Sequence, residues 1–191
     1  MNCFAILAVR PADEGKSRLA GTLNDEDRKS LNIRMFRHIF DVVKEVIPVE
    51  NIVVISHSET LLEEARADGA HGQPETGHEL NAALTEASHI AVERGATALL
   101  TLSSDLPFLG TDDIHAMLAT AGDVVIATDR FRIGTNALLI RRPFAMPYRY
   151  GGESLAAHRA AAAAAGLTST VIDRPGLARD IDTPSDLAEL G

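Results

Sequence analysis

A chain of 191 residues is long enough for one domain with a substantial buried core, and its 46% hydrophobic and 24% charged content is that of a soluble globular protein. The formal net charge of −9 argues against broad, nonspecific binding to nucleic acid or an anionic membrane, and leaves room for a small anionic substrate handled by metal ions or a few local cations. A single cysteine, Cys3, excludes an internal disulfide and fits a reducing compartment. The apolar run at the N-terminus is too short for a secretory signal and lacks a basic region before it. With no segment of transmembrane length, the cytoplasm is the expected compartment.

Residues 3–9, "CFAILAV", predict a first strand, followed by the polar loop "RPADEGKSRLAGTLN". Leu31, Met35, Ile39, Val42, Val43 and Val46 recur at helical spacing and predict a helix over about 25–46, closed by Pro48. "NIVVIS" (51–56) reads as a buried parallel strand, 58–68 as a helix stopped by Gly69, and 79–94 as a helix ending before Gly95. "ATALLTL" (96–102) is a further buried strand, leading into "SSDLPFLG". A helix near 111–120 precedes the strand "DVVIAT" (123–128), and "GTNALLI" (134–140) predicts another strand. "GGESLAAHRAAAAAAG" predicts a helix rich in alanine, the best helix former, ending at Gly166. "STVID" (169–173) and a short helix over 184–190 complete the chain. Alternating strands and helices predict one α/β domain over 1–191, a three-layer sandwich with a mainly parallel sheet.

Ligands of open parallel sheets bind at the carboxyl ends of the strands, and several unusual residues lie in the loops. Arg10, Lys16 and Arg18, with Ser17 between the last two, suit a phosphate chain and equally a solvated basic loop. Asp105, in "SSDLP", suits either a turn carboxylate accepting backbone N–H bonds or a ligand of Mg²⁺. Gly134, Thr135 and Asn136 combine close backbone approach with short polar side chains, as an ordinary turn also would. Gly151, Gly152, Glu153 and Ser154 open a helix, where free N–H groups attract anions or a polar residue simply caps.

The C-terminal "RDIDTPSDL" concentrates Asp180, Asp182 and Asp186. Thr183, Pro184 and Asp186 resemble a capping box with proline at the first helical position. Capping leaves Asp180 unexplained and Asp182 only partly explained. In extended chain these two carboxylates would face one side.

Taken in order, "AVRPADEGKSRLAG", "GHELNAAL", "SSDLP", "GTNAL", "GGESLAAH" and "DIDTPSDL" resemble segments of the CofC/FbiD-type guanylyltransferases of coenzyme F420 biosynthesis, over nearly the whole chain. The resemblance implies a MobA-like, nucleotide-diphospho-sugar transferase-like fold. It also implies transfer of GMP from GTP to the phosphate of 2-phospho-L-lactate, phosphoenolpyruvate or 3-phosphoglycerate. It implies Mg²⁺ held by Asp105, Asp180 and Asp182, with Lys16 and Arg18 acting with Asp105 at the triphosphate. Arg10, Thr135, Asn136, Gly151 and Ser154 would then receive the acid, Asn81 and Ser104 would lie near the nucleotide, and the protein would form a homodimer. Two positions depart from the family pattern: Arg10 stands where lysine is usual, and Gly15 where alanine is usual.

The chemistry is consistent with that resemblance. A phosphate is already anionic near neutral pH and attacks without a general base, so the lack of an obvious catalytic histidine is no objection. None of the seven histidines shows zinc-ligand spacing, and His158, one helical turn from Ser154, reads as packing or surface. A related transferase using CTP or another acceptor, and a noncatalytic nucleotide-binding module, are the alternatives. The missing glycine-rich first loop counts against a molybdenum-cofactor guanylyltransferase.

Overall fold

All six apolar runs form strands, and all six helical segments form helices, in a computed structural model that describes residues 1–9, 19 and 21–188. The order is β1 (Cys3–Val9), α1 (Asp25–Lys44), β2 (Ile52–Ser56), α2 (Glu59–Ala67), β3 (His71–Pro74), α3 (Leu80–Glu93), β4 (Ala98–Leu102), α4 (Thr111–Ala119), β5 (Val124–Thr128), β6 (Thr135–Arg141), α5 (Ser154–Ala164), β7 (Ser169–Ile172) and α6 (Pro184–Ala188). The strand β3 was not expected. "HGQP" has neither alternation nor β-branched residues, and it forms through backbone pairing with β2 at the sheet edge, where no second neighbour is required. Helix α1 ends two residues earlier than predicted, and its last turn closes through Ile47 N donating to Val43 O.

Strand alternation distributes the apolar side chains to two faces. From β1, Ala5, Leu7 and Val9 pack with Phe36, Ile39 and Phe40 of α1, in a core that also takes in α2 and α4. Phe4 and Ile6 pack on the opposite side with Ala83, Leu84 and Ala87 of α3, and with Leu155 and Ala162 of α5. Two separate cores on one sheet make the three layers. Glycine terminates α2: Gly69, at φ +103°, donates to Arg66 O while Ala70 N donates to Ala65 O, a closure that a left-handed residue permits.

The sheet order is β3-β2-β1-β4-β6-β5-β7. Strand β6 runs antiparallel to β4 and β5, and every other pairing is parallel. The chain leaves β1 toward β2 on one side and returns to β4 on the other, so the topological switch point lies between β1 and β4. The reversal of β6 sets Ala137, near its start, opposite Leu102, at the end of β4. Thr135 and Asn136 are thereby carried to the carboxyl edge of the parallel strands. No helix among the described residues is long and apolar enough to cross a membrane.

Candidate active site

Three chain segments converge at the end of β4. Ser103 N donates to Asn136 O at 2.8 Å, joining the β4 exit to the β6 entry. Asn136 Nδ2 donates to Leu177 O at 2.9 Å and reaches Asp180 Oδ1 at 3.4 Å, drawing in the C-terminal stretch. Ile181 N donates to Asp105 O at 3.2 Å. Ser103 Oγ donates to Asp105 Oδ1 at 2.6 Å, which fixes this carboxylate within the electrostatic reach of Asp180.

Burial, followed by the negative charges of Asp105 and Asp182, pushes the Asp180 carboxyl up to about 6, although its own backbone N–H and Asn136 favour the ionised form. Three carboxylates thus share one electrostatic neighbourhood. Among the described residues, no three or more His, Cys, Asp or Glu side chains form a ready-made cage for a metal ion. Magnesium needs no such cage, because it usually keeps several waters and takes one or two carboxylates together with substrate phosphates.

Two adjoining cavities meet here. The smaller, about 190 Å³, is lined by Ala8, Leu84, Ser103, Ser104, Asp105 and Asp182, among others. The larger, about 600 Å³, is lined by Thr135, Asn136, Gly151, Ser154, Asp180 and Asp182, among others. Its volume is that of a small-molecule site. Asp182, Leu80 and Tyr150 line both cavities, so one carboxylate looks onto each.

Nine of the twelve expected site residues are described. Ser104 and Asp105 face the smaller cavity, Thr135, Asn136, Gly151, Ser154 and Asp180 the larger, and Asp182 both. Asn81 makes a two-bond clamp instead: its Nδ2 donates to Tyr150 O at 3.0 Å and its Oδ1 accepts from Tyr150 N at 2.8 Å. It is therefore a ninth described residue whose amide positions Tyr150 at the wall common to both cavities. Arg10, Lys16 and Arg18 lie outside the described residues.

Arg130, on the turn between β5 and β6, was missed in the sequence. It is the one cationic side chain among the described residues that line the larger cavity, where it pairs with the buried carboxylate of Asp186. The signal was a basic residue four positions before the "GTN" motif, indistinguishable in sequence from surface charge. His158 was read as packing or surface. It is fully buried, with Nδ1 3.0 Å from Thr135 Oγ1 and Nε2 2.9 Å from the Arg149 N–H.

The shifts of His158 and Asp180 oppose each other in acid. Burial drives His158 down to about 4 from its ordinary 6.5, so the unfolded chain binds a proton there that the folded chain refuses, and folding weakens as pH falls from 6.5 toward 4. Asp180 is raised from 3.8 to about 6, so its ionisation opposes folding above pH 6 and that penalty is relieved toward 3.8. Each shift corresponds to about 3 kcal/mol, so the two nearly cancel. Asp180→Asn removes only the second. In chelator it is expected to be more stable than wild type at pH 7, by up to about 3 kcal/mol, with the advantage vanishing near pH 4. Urea denaturation at a series of pH values checks this, and a pH-independent difference would refute it.

The sheet order, with its switch-point crevice, is that of the nucleotide-diphospho-sugar transferase fold. A Desulfovibrio desulfuricans G20 protein described as a putative nucleotide-diphospho-sugar transferase superposes with a TM-score of 0.81 at 16% identity, covering 99% of this chain and 86% of that one. CMP:2-keto-3-deoxy-manno-octonic acid synthetase in complex with CTP superposes with a TM-score of 0.67 at 13% identity, covering 100% and 97%. The chain belongs to the family described as guanylyl transferase CofC like, whose model matches residues 3–191. It is 40% identical to the phosphoenolpyruvate guanylyltransferase of Rubrobacter xylanophilus over 193 residues, covering 100% of this chain and 94% of the relative. It is 29% identical to the 3-phospho-D-glycerate guanylyltransferase of Colwellia psychrerythraea, covering 98% and 90%.

Proposed function

We propose that this protein transfers GMP from GTP to the phosphate of a three-carbon phospho-acid, releasing pyrophosphate, as a step of coenzyme F420 biosynthesis. The acceptors considered are phosphoenolpyruvate, 2-phospho-L-lactate and 3-phosphoglycerate. Phosphoenolpyruvate is favoured among them because relatives named for it are the more similar to this chain, at 40% against 29% identity for the one named for 3-phospho-D-glycerate. The observation that carries the reading is the meeting of two cavities at Asp182, one bordered by Ser104 and Asp105, the other by Thr135, Gly151 and Ser154.

In this reaction a phosphate oxygen of the acid bonds to the α-phosphorus of GTP, and the bond from that phosphorus to the β-bridging oxygen breaks. The attacking phosphate is already ionised near neutral pH, so no residue need remove a proton from it. The difficulty is bringing two polyanions together in line. Asp105, Asp180 and Asp182 are hard oxygen donors in mutual electrostatic contact, which fits Mg²⁺. When bound, Mg²⁺ supplies charge neutralisation and orientation of the phosphates. Thr135, Ser154 and the backbone at Gly151 bind the acid, and Arg130 offsets its charge. The family resemblance assigns Lys16 and Arg18 to the triphosphate and Arg10 to the acid.

Pyrophosphate release with Mg²⁺, each NTP and each acid tests the proposal. Release is expected with GTP, and most with phosphoenolpyruvate. No release with any pair would end the enzymatic reading, and release with CTP alone would reassign the donor.

A further inference from the structure

The buried histidine of α5 has no part in the chemistry above, yet both of its ring nitrogens are committed. The Arg149 backbone N–H can only donate, so His158 Nε2, 2.9 Å away, must be the unprotonated nitrogen. A neutral imidazole then carries its hydrogen on Nδ1, which lies 3.0 Å from Thr135 Oγ1. Burial keeps the ring neutral, with only the backbone of Ser154 favouring the charged form. Tyr150 packs edge-on against the ring, with centroids 4.8 Å apart, and helps to seal it from water.

This tautomer has a consequence for Thr135. A hydroxyl that accepts from Nδ1–H cannot also donate to it, so its own hydrogen must point elsewhere. Thr135 is buried except where it lines the larger cavity. With the opposite tautomer, Thr135 would donate to Nδ1 and turn lone pairs toward an anion in the cavity. We propose that His158 is a positioning residue that holds the Thr135 hydroxyl as a hydrogen-bond donor to the acceptor acid. This rests on the reading of the larger cavity as the acid site. The Arg149 bond adds a second effect, anchoring the segment that carries Tyr150, Gly151 and Gly152 along the cavity wall.

Two measurements test it separately. Nitrogen-15 NMR of the imidazole in the ligand-free protein is expected to show the Nδ1–H tautomer, and the Nε2–H tautomer would overturn the inference. In steady-state assays, His158→Phe is expected to raise the KM for phosphoenolpyruvate about tenfold, the effect of one hydrogen bond to a charged group, with the KM for GTP unchanged. His158→Asn keeps an N–H near the Nδ1 position and should recover most of that loss. In a Thr135→Val background, His158→Phe should raise the KM for the acid much less than it does in wild type, the remainder coming from the lost Arg149 bond. Additive effects, or equal rises in both KM values, would overturn the inference. A wild-type protein that accepts no three-carbon phospho-acid would instead overturn the functional reading, while the tautomer would still decide how Thr135 is oriented.

Discussion

Asp182→Asn is expected to lower guanylyl transfer by about two to three orders of magnitude while leaving the fold intact. Asparagine is nearly the same size, and the backbone N–H of this position, which donates to Asp186 Oδ2 at 3.0 Å, is untouched by the substitution. The side chain instead faces both cavities, where loss of its charge weakens the metal site and the alignment of donor with acceptor. A readout independent of turnover is available, because a ligand that binds only the folded state raises its stability. Mg²⁺ should raise the wild-type melting temperature and raise that of the variant much less. Full activity with an undiminished Mg²⁺ effect would show that Asp182 is not a metal ligand.

Asp186→Ala should act on the fold itself. This carboxylate is buried and accepts from Asp182 N at 3.0 Å, Thr183 N at 2.7 Å and Thr183 Oγ1 at 2.8 Å, and it also pairs with Arg130. Burial pushes its carboxyl up, but the bonds from Thr183, Asp182 and Arg130 outweigh that and hold it below its ordinary value. Truncation leaves two backbone donors and a guanidinium without this acceptor, a loss of about 3–5 kcal/mol. For a chain of this length that corresponds to a melting temperature lower by roughly 10 °C, measurable by calorimetry. A loss below about 1 kcal/mol would mean that water replaces the carboxylate. Asp186→Asn, which keeps an acceptor oxygen but not the charge, should fall between the two.

The capping half of "RDIDTPSDL" is built as its sequence suggested. Thr183 and Asp186 form the reciprocal cap, with Asp186 N 3.4 Å from Thr183 Oγ1, and Pro184 begins α6. The cap was legible because it is local: three side chains and their own backbone settle it. The neighbourhood of Asp105 and Asp180 joins residues 75 positions apart, and spacing alone left each with an alternative role. Their pairing was suggested by family resemblance. The structure adds the physical link, in which Asn136 and the Ile181 N–H hold the two segments together.

His158 shows the other limit. A histidine on an alanine-rich helix gives no sign of which face it occupies, because alanine is tolerated both in the core and on the surface. Arg130 was hidden for a similar reason, since a buried ion pair and a solvated charge look alike in one dimension.

The amino-acid sequence by itself determined six of the seven described strands, the helices, the glycine stops and the C-terminal cap, because each depends on periodicity or on neighbours a few residues away. It did not determine the direction of β6. Whether β6 runs with its neighbours or against them is settled by how the chain crosses the sheet. Had it run parallel, Thr135 and Asn136 would stand at the far edge, a strand's length from Asp105. The antiparallel pairing of Leu102 with Ala137 brings them to the carboxyl edge, and the site exists because of it.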